Sequence, residues 1–271
     1  MDVRDANILV HSKMAASYNE REPHFRPENR ANVRRMLESL RTEFGGRLLD
    51  MGCGTGFIID LAADLFDAID GVDITPAMLA RVPKAANVRV HEADASRVPF
   101  DNGSFDVVSA YSFFHHLQDM AAVLGEAFRV LRPGGGLYID LEPNRHFWEN
   151  VIAVQPSVDA SSSRLVRDEI DSVSHTDDRV AEEYGIAQDV FNLAEYNKAM
   201  TGGINPEEFS ALMRSCGFQK VTTSYKWFAG QGKVLHGTSA QAADTVDAYL
   251  RDALPLSRGL YKYLQFRAVK P

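Results

Sequence analysis

A turn built on three alternating glycines, between a short apolar run and an amphipathic segment, is the strongest constraint on the fold of this chain. The apolar run covers residues 47–51, Gly52, Gly54 and Gly56 follow it, and residues 57–66 carry apolar side chains at helical spacing. Because glycine has no Cβ, its backbone can bend tightly and approach a ligand closely. The sequence therefore predicts a strand, a ligand-binding turn and a helix, the first unit of a doubly wound sheet.

The alternation of strands and helices continues along the chain. Strands are predicted at residues 68–74, 88–91, 105–109, 137–141, 220–228 and 261–269, and helices at residues 76–82, 120–131, 206–216 and 240–254. Strands that alternate with helices form a parallel sheet covered on both faces, and the last two strands are expected to form an antiparallel closing pair. The predicted fold class is α/β: a doubly wound, mostly parallel, seven-stranded, Rossmann-like sheet with an antiparallel closing strand and an inserted helical cap.

Four regions are predicted from these elements. They are an N-terminal helical lid segment (1–45), a cofactor-binding α/β core (46–145), an inserted helical cap (146–205) and a C-terminal part of the core (206–271) with a helical insertion at about residues 232–258. Between residues 159 and 195 the cap carries ten acidic and three basic residues. A solvated helical face explains this excess of charge, and a cap that attracts cationic substrates or repels anionic ones is the alternative.

The composition excludes several classes of protein. In 271 residues, 29 Lys and Arg against 37 Asp and Glu give a net charge of −8, the wrong sign for holding nucleic acid or a basic membrane-surface role. Cys53 and Cys216 are too few and too far apart for a disulfide framework or a cysteine-based zinc cluster. Without a signal peptide or an apolar run of about 18 residues, we expect a cytoplasmic protein with no membrane span. The sequence does not indicate an oligomeric state.

The residues around the glycine turn predict a nucleoside ligand. Asp73 follows Gly54 by 19 residues, at the end of the second predicted strand, where a carboxylate can accept hydrogen bonds from both ribose hydroxyls. The spacing Gly-x-Gly-x-Gly departs from the dinucleotide pattern, and Phe57 stands where a phosphate loop would need a lysine. Between Arg47 and Arg81 there are six aspartates and no basic residue, which favours a cationic cofactor over a pyrophosphate. A nicotinamide-dependent oxidoreductase is the alternative enzyme class.

Four ordered segments resemble those of the class I S-adenosylmethionine-dependent methyltransferases, in particular the group that includes the ubiquinone and menaquinone biosynthetic enzymes. The segments are residues 48–56 (LLDMGCGTG), 71–79 (GVDITPAML), 92–108 and 129–135 (RVLRPGG). The resemblance is dense over residues 14–144 and thinner over 206–270. It implies an enzyme that uses S-adenosyl-L-methionine, with S-adenosyl-L-homocysteine as product, and a small-molecule methyl acceptor. Because residues 147–205 depart from the family core, the identity of the acceptor does not carry over.

The resemblance also implies roles for individual residues. The three glycines would wrap the methionine part of the cofactor, Asp73 would hold the ribose, and Asp94 would hydrogen-bond the adenine amino group. A helix cap is the alternative for Asp94, a clamp that receives loop amides is the alternative for Asp50, and core packing is the alternative for Tyr18. The candidate cofactor-binding residues are Tyr18, Asp50, Gly52, Gly54, Gly56, Asp73, Ile74, Asp94, Ala95 and Ser112.

The loop after the fourth predicted strand carries the candidate catalytic residues. Methyl transfer is an in-line displacement that requires the acceptor atom about 3–3.5 Å from the methyl carbon and the exclusion of water. If the acceptor carries a proton, His115 or His116 is the candidate base, and Glu142 is the reserve. A structural imidazole is the alternative for the histidines, and a cap of the loop at residues 143–144 is the alternative for Glu142. No metal site is expected, because adjacent histidines in a loop should point to different sides and no acidic ligand lies nearby in the sequence.

Two further expectations concern the substrate side. Some of the aromatic residues after the core are expected to line an apolar acceptor pocket under the cap. Because catalysis by positioning leaves no obligatory residue, a non-catalytic cofactor-binding or partner-binding module on the same fold is the other alternative function. The aromatic residues are Phe147, Trp148, Tyr184, Phe191, Tyr196, Tyr225, Trp227 and Phe228.

Overall fold

The fold is a seven-stranded sheet in the strand order β3-β2-β1-β4-β5-β7-β6, seen in a computed structural model that describes residues 1–271 except the side chain of Leu165. The strands are β1 Arg47–Met51, β2 Ala68–Asp73, β3 Val88–Glu92, β4 Phe105–Tyr111, β5 Leu131–Pro143, β6 Gln219–Phe228 and β7 Tyr261–Val269. Strand β7 runs antiparallel to both β5 and β6, and the pairings from β3 to β5 are parallel. The predicted fold class is confirmed.

Helices cover both faces of the sheet and its carboxyl edge. Those of the first half are α1 Val3–Met14, α2 Tyr18–Arg21, α3 Pro27–Phe44, α4 Phe57–Ala62, α5 Pro76–Leu79 and α6 Met120–Val130. Those after the fifth strand are α7 Arg145–Val154, α8 Arg164–Ser174, α9 Thr176–Glu183, α10 Gln188–Ala194, α11 Tyr196–Thr201, α12 Pro206–Ser215, α13 Gln231–Gly237 and α14 Ala240–Asp252. No helix among the described residues is both long and apolar enough to cross a bilayer.

The largest differences from the predicted bounds are at α4, α5 and β5, and the other predicted elements differ by at most two residues at either end. Helices α4 and α5 end earlier than predicted, at Ala62 and Leu79, because the apolar spacing continues into turns that follow each helix. Strand β5 is longer than predicted at both ends, because Leu131 pairs with Phe105 of β4 and Pro143 pairs with Tyr263 of β7. The glycine-rich turn expected at residues 132–134 is present between them, with a φ of +79° at Gly134. The four-region division of the chain stays a prediction.

The hydrophobic core lies on both faces of the sheet. Leu48 and Leu49 are neighbours on β1, yet both are fully buried, Leu48 in the cluster with α3 and α4 and Leu49 in the cluster with α6 and α12. A central parallel strand covered on both faces requires this kind of continuous apolar run. The core therefore fixes the carboxyl ends of β1, β2 and β4 side by side.

A third apolar cluster joins the N-terminal lid to the inserted cap. Ala6, Val10 and Met14 of α1 pack against cap residues that include Phe191 and Ala194 of α10. Polar contacts follow the same boundary: Lys13 Nζ donates to the Gly185 carbonyl at 2.8 Å, the hydroxyls of Ser17 and Tyr184 lie 2.7 Å apart, and Arg21 pairs with Glu183. The lid and the cap are thus in direct contact above the sheet edge.

Candidate functional site

A cavity of about 310 Å³ opens at the carboxyl ends of β1, β2 and β4. The strand order reverses between β1 and β4, and open α/β sheets bind their ligands at such a switch point. The glycine turn, Asp73 and Asp94 form one side of the cavity, and residues of the lid form the other. Ten of the predicted site residues line it: Tyr18, Asp50, Gly52, Gly54, Asp73, Ile74, Asp94, Ala95, Ser112 and His116.

The glycine turn has the left-handed backbone that the sequence indicates. Gly52, Gly54 and Gly56 have φ angles of +68°, +52° and +88°. A Cβ on Gly52 would lie 2.1 Å from the Phe113 ring, whereas a Cβ on Gly54 would meet only the Met78 methyl at 3.8 Å and would otherwise occupy open space. Gly56 precedes α4 as its N-cap and is absent from the cavity lining. Two of the three glycines therefore form the wall of the site.

Asp73 joins the turn to the end of β2. Its Oδ2 accepts the Gly54 amide at 2.9 Å and its Oδ1 accepts the Thr75 amide at 2.8 Å. A carboxylate oxygen has two lone pairs, so each oxygen keeps one for a ligand. The half-buried Asp73 and the adjacent Ile74 both line the cavity.

Asp94 both caps a turn and borders the cavity, so it fits each of the two roles considered from the sequence. Its Oδ1 accepts the Ser96 amide at 2.9 Å and the Ser96 hydroxyl at 2.7 Å, as a turn cap does. Its Oδ2 lies 3.7 Å from Arg4 Nε of the lid, and Asp94 and Ala95 line the cavity. The turn cap therefore occupies Oδ1, and Oδ2 lies beside Arg4 of the lid.

Asp50 is the buried carboxyl beneath the turn. Burial raises its pKa to about 7; the hydrogen bond from the Ser109 hydroxyl, at 2.7 Å, opposes this shift, and the charge of Asp73 adds to it. The expected loop amides are not its partners, because the hydrogen bond found at Asp50 comes from Ser109. The site thus holds a carboxyl that a nearby positive charge would readily ionise.

Two histidines, His11 and His24, are among the lid residues at the cavity that sequence reasoning missed. Both line the cavity beside Tyr18, and burial lowers the pKa of His24 to about 3. The ring of His11 contacts that of His116 edge-on, with centroids 4.9 Å apart. The only signal in the sequence was the helical spacing of Asn7 and His11 on α1, which does not by itself indicate a ligand site.

Glu142 holds the histidine loop in place instead of facing the cavity. It is fully buried, and its Oε1 accepts the amides of Phe113 and Phe114 at 2.9 and 2.8 Å. Its Oε2 accepts the amide and Nδ1–H of His115 at 3.0 and 2.9 Å. The carboxylate therefore caps residues 113–115, not residues 143–144 as the alternative reading placed it, and Glu142 and His115 are both absent from the cavity lining.

The two adjacent imidazoles lie side by side. The expectation that they point apart is wrong, since their ring centroids are 4.0 Å apart. Glu195, between α10 and α11, lies 3.6 Å from His115 Nε2 and 3.6 Å from His116 Nδ1. The acidic partner missing from the nearby sequence thus comes from the cap, and only the folded chain could reveal it.

Burial and charge affect the two imidazoles differently. Burial opposes a charge on His115, but Glu142 and Glu195 outweigh burial and raise the pKa of this imidazole. Burial, reinforced by the charge of His115, lowers the pKa of His116 to about 3. Of these two imidazoles, the one that lines the cavity, His116, is therefore neutral near pH 7.

The aromatic residues considered for an acceptor pocket lie outside the switch-point cavity. Among the described residues, the eight side chains are absent from its lining, and Phe147, Phe191 and Phe228 are buried. Trp227 lines a second, polar cavity of about 430 Å³ on the far side of Tyr111. The hypothesis of an apolar acceptor pocket under the cap therefore stays a prediction.

Part of the chain is similar in sequence to known methyltransferases. Residues 49–139 match the family model described as a methyltransferase domain. The chain is 40% identical over 102 residues to a demethylmenaquinone methyltransferase of Chlorobaculum parvum. This alignment covers 36% of this chain and 41% of that protein. It is 34% identical over 142 residues to the 27-O-demethylrifamycin SV methyltransferase of Amycolatopsis mediterranei. This alignment covers 44% of this chain and 52% of that protein.

A solved structure shares the fold at low sequence identity. It is phosphoethanolamine N-methyltransferase 2 of Haemonchus contortus with phosphomonomethylethanolamine and S-adenosylhomocysteine, at 18% identity and a TM-score of 0.59, covering 100% of this chain and 60% of that chain. The alignments with the two curated relatives span 41% and 52% of those proteins' own lengths.

Proposed function

We propose that this chain, whose residues 49–139 form a class I methyltransferase domain, transfers a methyl group from S-adenosylmethionine to a small-molecule acceptor. The resemblance of its glycine and Asp73 motifs to this family is confirmed by the family match and by the methyltransferase relatives. The observation that carries the proposal is the pairing of Gly54 and Asp73 at the switch-point cavity, because it combines close backbone approach with a carboxylate free to bind a diol.

The residues present fit this cofactor. Asp73 and Ile74 would hold the ribose, Asp94 and Ala95 the adenine, and the turn from Gly52 to Gly54 the methionine part. The open space beside Gly54, which a side chain would fill, supports this arrangement. Asp50 places a carboxyl near the methionine end, where a sulfonium carries its positive charge. When bound, S-adenosylmethionine supplies an electrophilic methyl group.

The chain contributes positioning and the exclusion of water. The loop from Ser112 to His116 and the lid residues Tyr18 and His11 enclose the methionine end of the cavity. We assign contact with the acceptor to His116, because it lines the cavity, and we assign a positioning role to Glu142 and His115. A pKa of about 3 makes His116 a weak base, so in-line geometry is expected to contribute more than proton removal.

The acceptor class is inferred from the relatives. Two of them are named for demethylmenaquinone and demethylrifamycin substrates, which supports a quinone-like or natural-product acceptor methylated at oxygen, nitrogen or carbon. The net charge of −8 supports an acceptor other than nucleic acid. A cytoplasmic location stays a prediction from the sequence.

The test is a calorimetric titration of the purified chain with S-adenosylmethionine, S-adenosylhomocysteine and NAD in parallel. Micromolar binding of the two adenosyl ligands without NAD binding is the expected result; binding of NAD alone would replace the proposal with a nicotinamide-dependent oxidoreductase. A panel of quinols, phenols and amines with labelled S-adenosylmethionine then separates an enzyme from a binding module. Cofactor binding without methyl transfer to any member would favour the module.

A further inference from the structure

A β-bulge interrupts β5 at the carboxyl edge of the sheet, next to the switch-point cavity. Two residues of β5, Asp140 and Leu141, lie opposite a single residue of β7, Gln265. Leu141 has a φ of +60°, in the left-handed region that leucine rarely adopts. Bulges change the direction in which a side chain points and are common beside active sites. The residue that follows this bulge is Glu142, which holds the histidine loop (residues 112–116).

The bulge decides on which face of the sheet Glu142 lies. Side chains of a regular strand alternate between the two faces. Tyr138 lies in the cluster with α3 and α4, and Ile139 lies in the cluster with α6 and α12. Leu141 is again in the cluster with α3 and α4, where alternation would put it on the other face. The extra residue thus places Glu142 opposite to Tyr138, where its carboxylate receives the amides of the histidine loop.

We propose that Asp140 is a positioning residue for methyl transfer, because it holds the bulge that aims Glu142 at the histidine loop. Its buried Oδ1 accepts the Leu141 amide at 2.7 Å, which supports the left-handed backbone there. Its main-chain carbonyl accepts the Ser112 amide at 2.8 Å. Ser112 lines the cavity and also has a left-handed φ, of +53°. Asp140 therefore supports the backbone at the ends of both β4 and β5.

The two oxygens of the Asp140 carboxylate have separate partners. Oδ2 accepts the Tyr138 hydroxyl at 2.6 Å and Gln265 Nε2 at 2.7 Å, whereas Oδ1 accepts the Leu141 amide. A substitution can therefore remove a donor to Oδ2 without removing the acceptor that the bulge uses. The role of Asp140 in methyl transfer rests on the proposed function, but its role in holding the histidine loop does not.

The experiment follows the histidine loop by NMR in the full chain, without any assay of activity. In protein labelled with ¹⁵N-histidine, the Nδ1 proton that His115 donates to Glu142 should give a slowly exchanging signal, assigned by its loss in His115→Gln. We expect Asp140→Ala to shift or remove this signal and to weaken S-adenosylhomocysteine binding at least about fivefold. Asp140→Asn keeps an oxygen for the Leu141 amide, so it should retain the signal and an affinity within about twofold of wild type.

Two further variants separate positioning from a general loss of stability. Tyr138→Phe removes one donor to Oδ2 and is the matched control, which should keep the His115 signal. Glycine adopts a left-handed backbone without support. Asp140→Ala should therefore perturb the His115 signal less in a Leu141→Gly background, whereas a purely structural loss would add to the effect of Leu141→Gly.

The outcomes are distinct. An unshifted His115 signal in Asp140→Ala, or additive effects in the double variant, would overturn the role of Asp140. Thermal unfolding shows whether each variant folds. If Asp140→Ala does not fold, Leu141→Ile carries the test, because a β-branched residue disfavours the left-handed backbone and should shift the signal; an unshifted signal would then overturn the proposal. Failure of the wild type to bind S-adenosylhomocysteine would concern the proposed function alone, since the NMR signal needs no ligand.

Discussion

Asp73 supports the turn and faces the cavity at the same time. It accepts two backbone amides, which fix its orientation before any ligand binds, and it keeps a lone pair on each oxygen. A carboxylate that is already oriented loses little side-chain entropy on binding. Its placement was predictable from the sequence because the ends of neighbouring parallel strands meet at one edge of the sheet.

Replacing Asp73 with alanine is expected to weaken cofactor binding more than tenfold. The loss of hydrogen bonds to two ribose hydroxyls should cost about 1.5–3 kcal/mol. Calorimetry with S-adenosylhomocysteine measures the change. Asp101→Ala, at an exposed loop residue, is the control and should bind normally; unchanged affinity in Asp73→Ala would remove this carboxylate from the site.

Asp50 should make the stability of the fold depend on pH. Its folded pKa of about 7 lies above the value of about 3.9 expected in the unfolded chain, so the folded state binds the proton more tightly. The free energy of unfolding should therefore fall as pH rises from about 4 to about 7, and Asp50→Asn should remove this fall. Between pH 5 and pH 8 the variant should gain about 2–3 kcal/mol relative to wild type, measured by urea unfolding. Parallel pH profiles would contradict the raised pKa.

At the scale of elements, the turn between β1 and α4 has no room for a side chain at its first glycine. Gly52→Ala would combine a left-handed backbone with a Cβ in contact with the Phe113 ring. We expect a loss of at least about 1–3 kcal/mol in the free energy of unfolding and weaker cofactor binding. The matched control is Gly125→Ala on α6, where a Cβ meets nothing within 4 Å; it should stabilise the helix by up to about 1 kcal/mol. Both are measured by chemical denaturation, and equal effects would contradict the assignment.

The elements show which parts of the structure local sequence determines. Strand β1 is found at its predicted bounds, because a short apolar run closed by glycine is a local signal. Helices α4 and α5 are shorter than predicted, since apolar residues in the following turns are buried as well and so continue the helical pattern.

The site residues also divide into those that local sequence indicates and those that only the folded chain reveals. The carboxylates of Asp50 and Asp73 were found because each stands at a strand end, and that of Asp94 was found through the resemblance to the family. Glu195 and His24 were not found, since their positions depend on how the cap and the lid fold back over the sheet, and no local pattern records that.

The whole molecule closes over its cavity with segments from distant parts of the chain. Phe191 of α10 is 4% exposed and lies in the cluster that joins the cap to α1. Phe191→Ala is expected to lower the free energy of unfolding by about 3–5 kcal/mol and to increase amide exchange in α1 more than in β1. Hydrogen–deuterium exchange measures this, with Tyr249→Ala, at a residue 72% exposed on α14, as control. Unchanged exchange in α1 would mean that the lid stays closed without the cap.

The contact between lid and cap also bears on how molecules enter and leave. Asn7 and His11 of α1 border the cavity, and the same helix is fastened to α10, whose Ala194 carbonyl holds His116. On the proposed function, a product cofactor that leaves past the lid would displace α1 and, through it, α10 and the carbonyl that holds the His116 imidazole. One opening motion would then weaken the contacts of both products at once and free the cavity for the next pair of substrates.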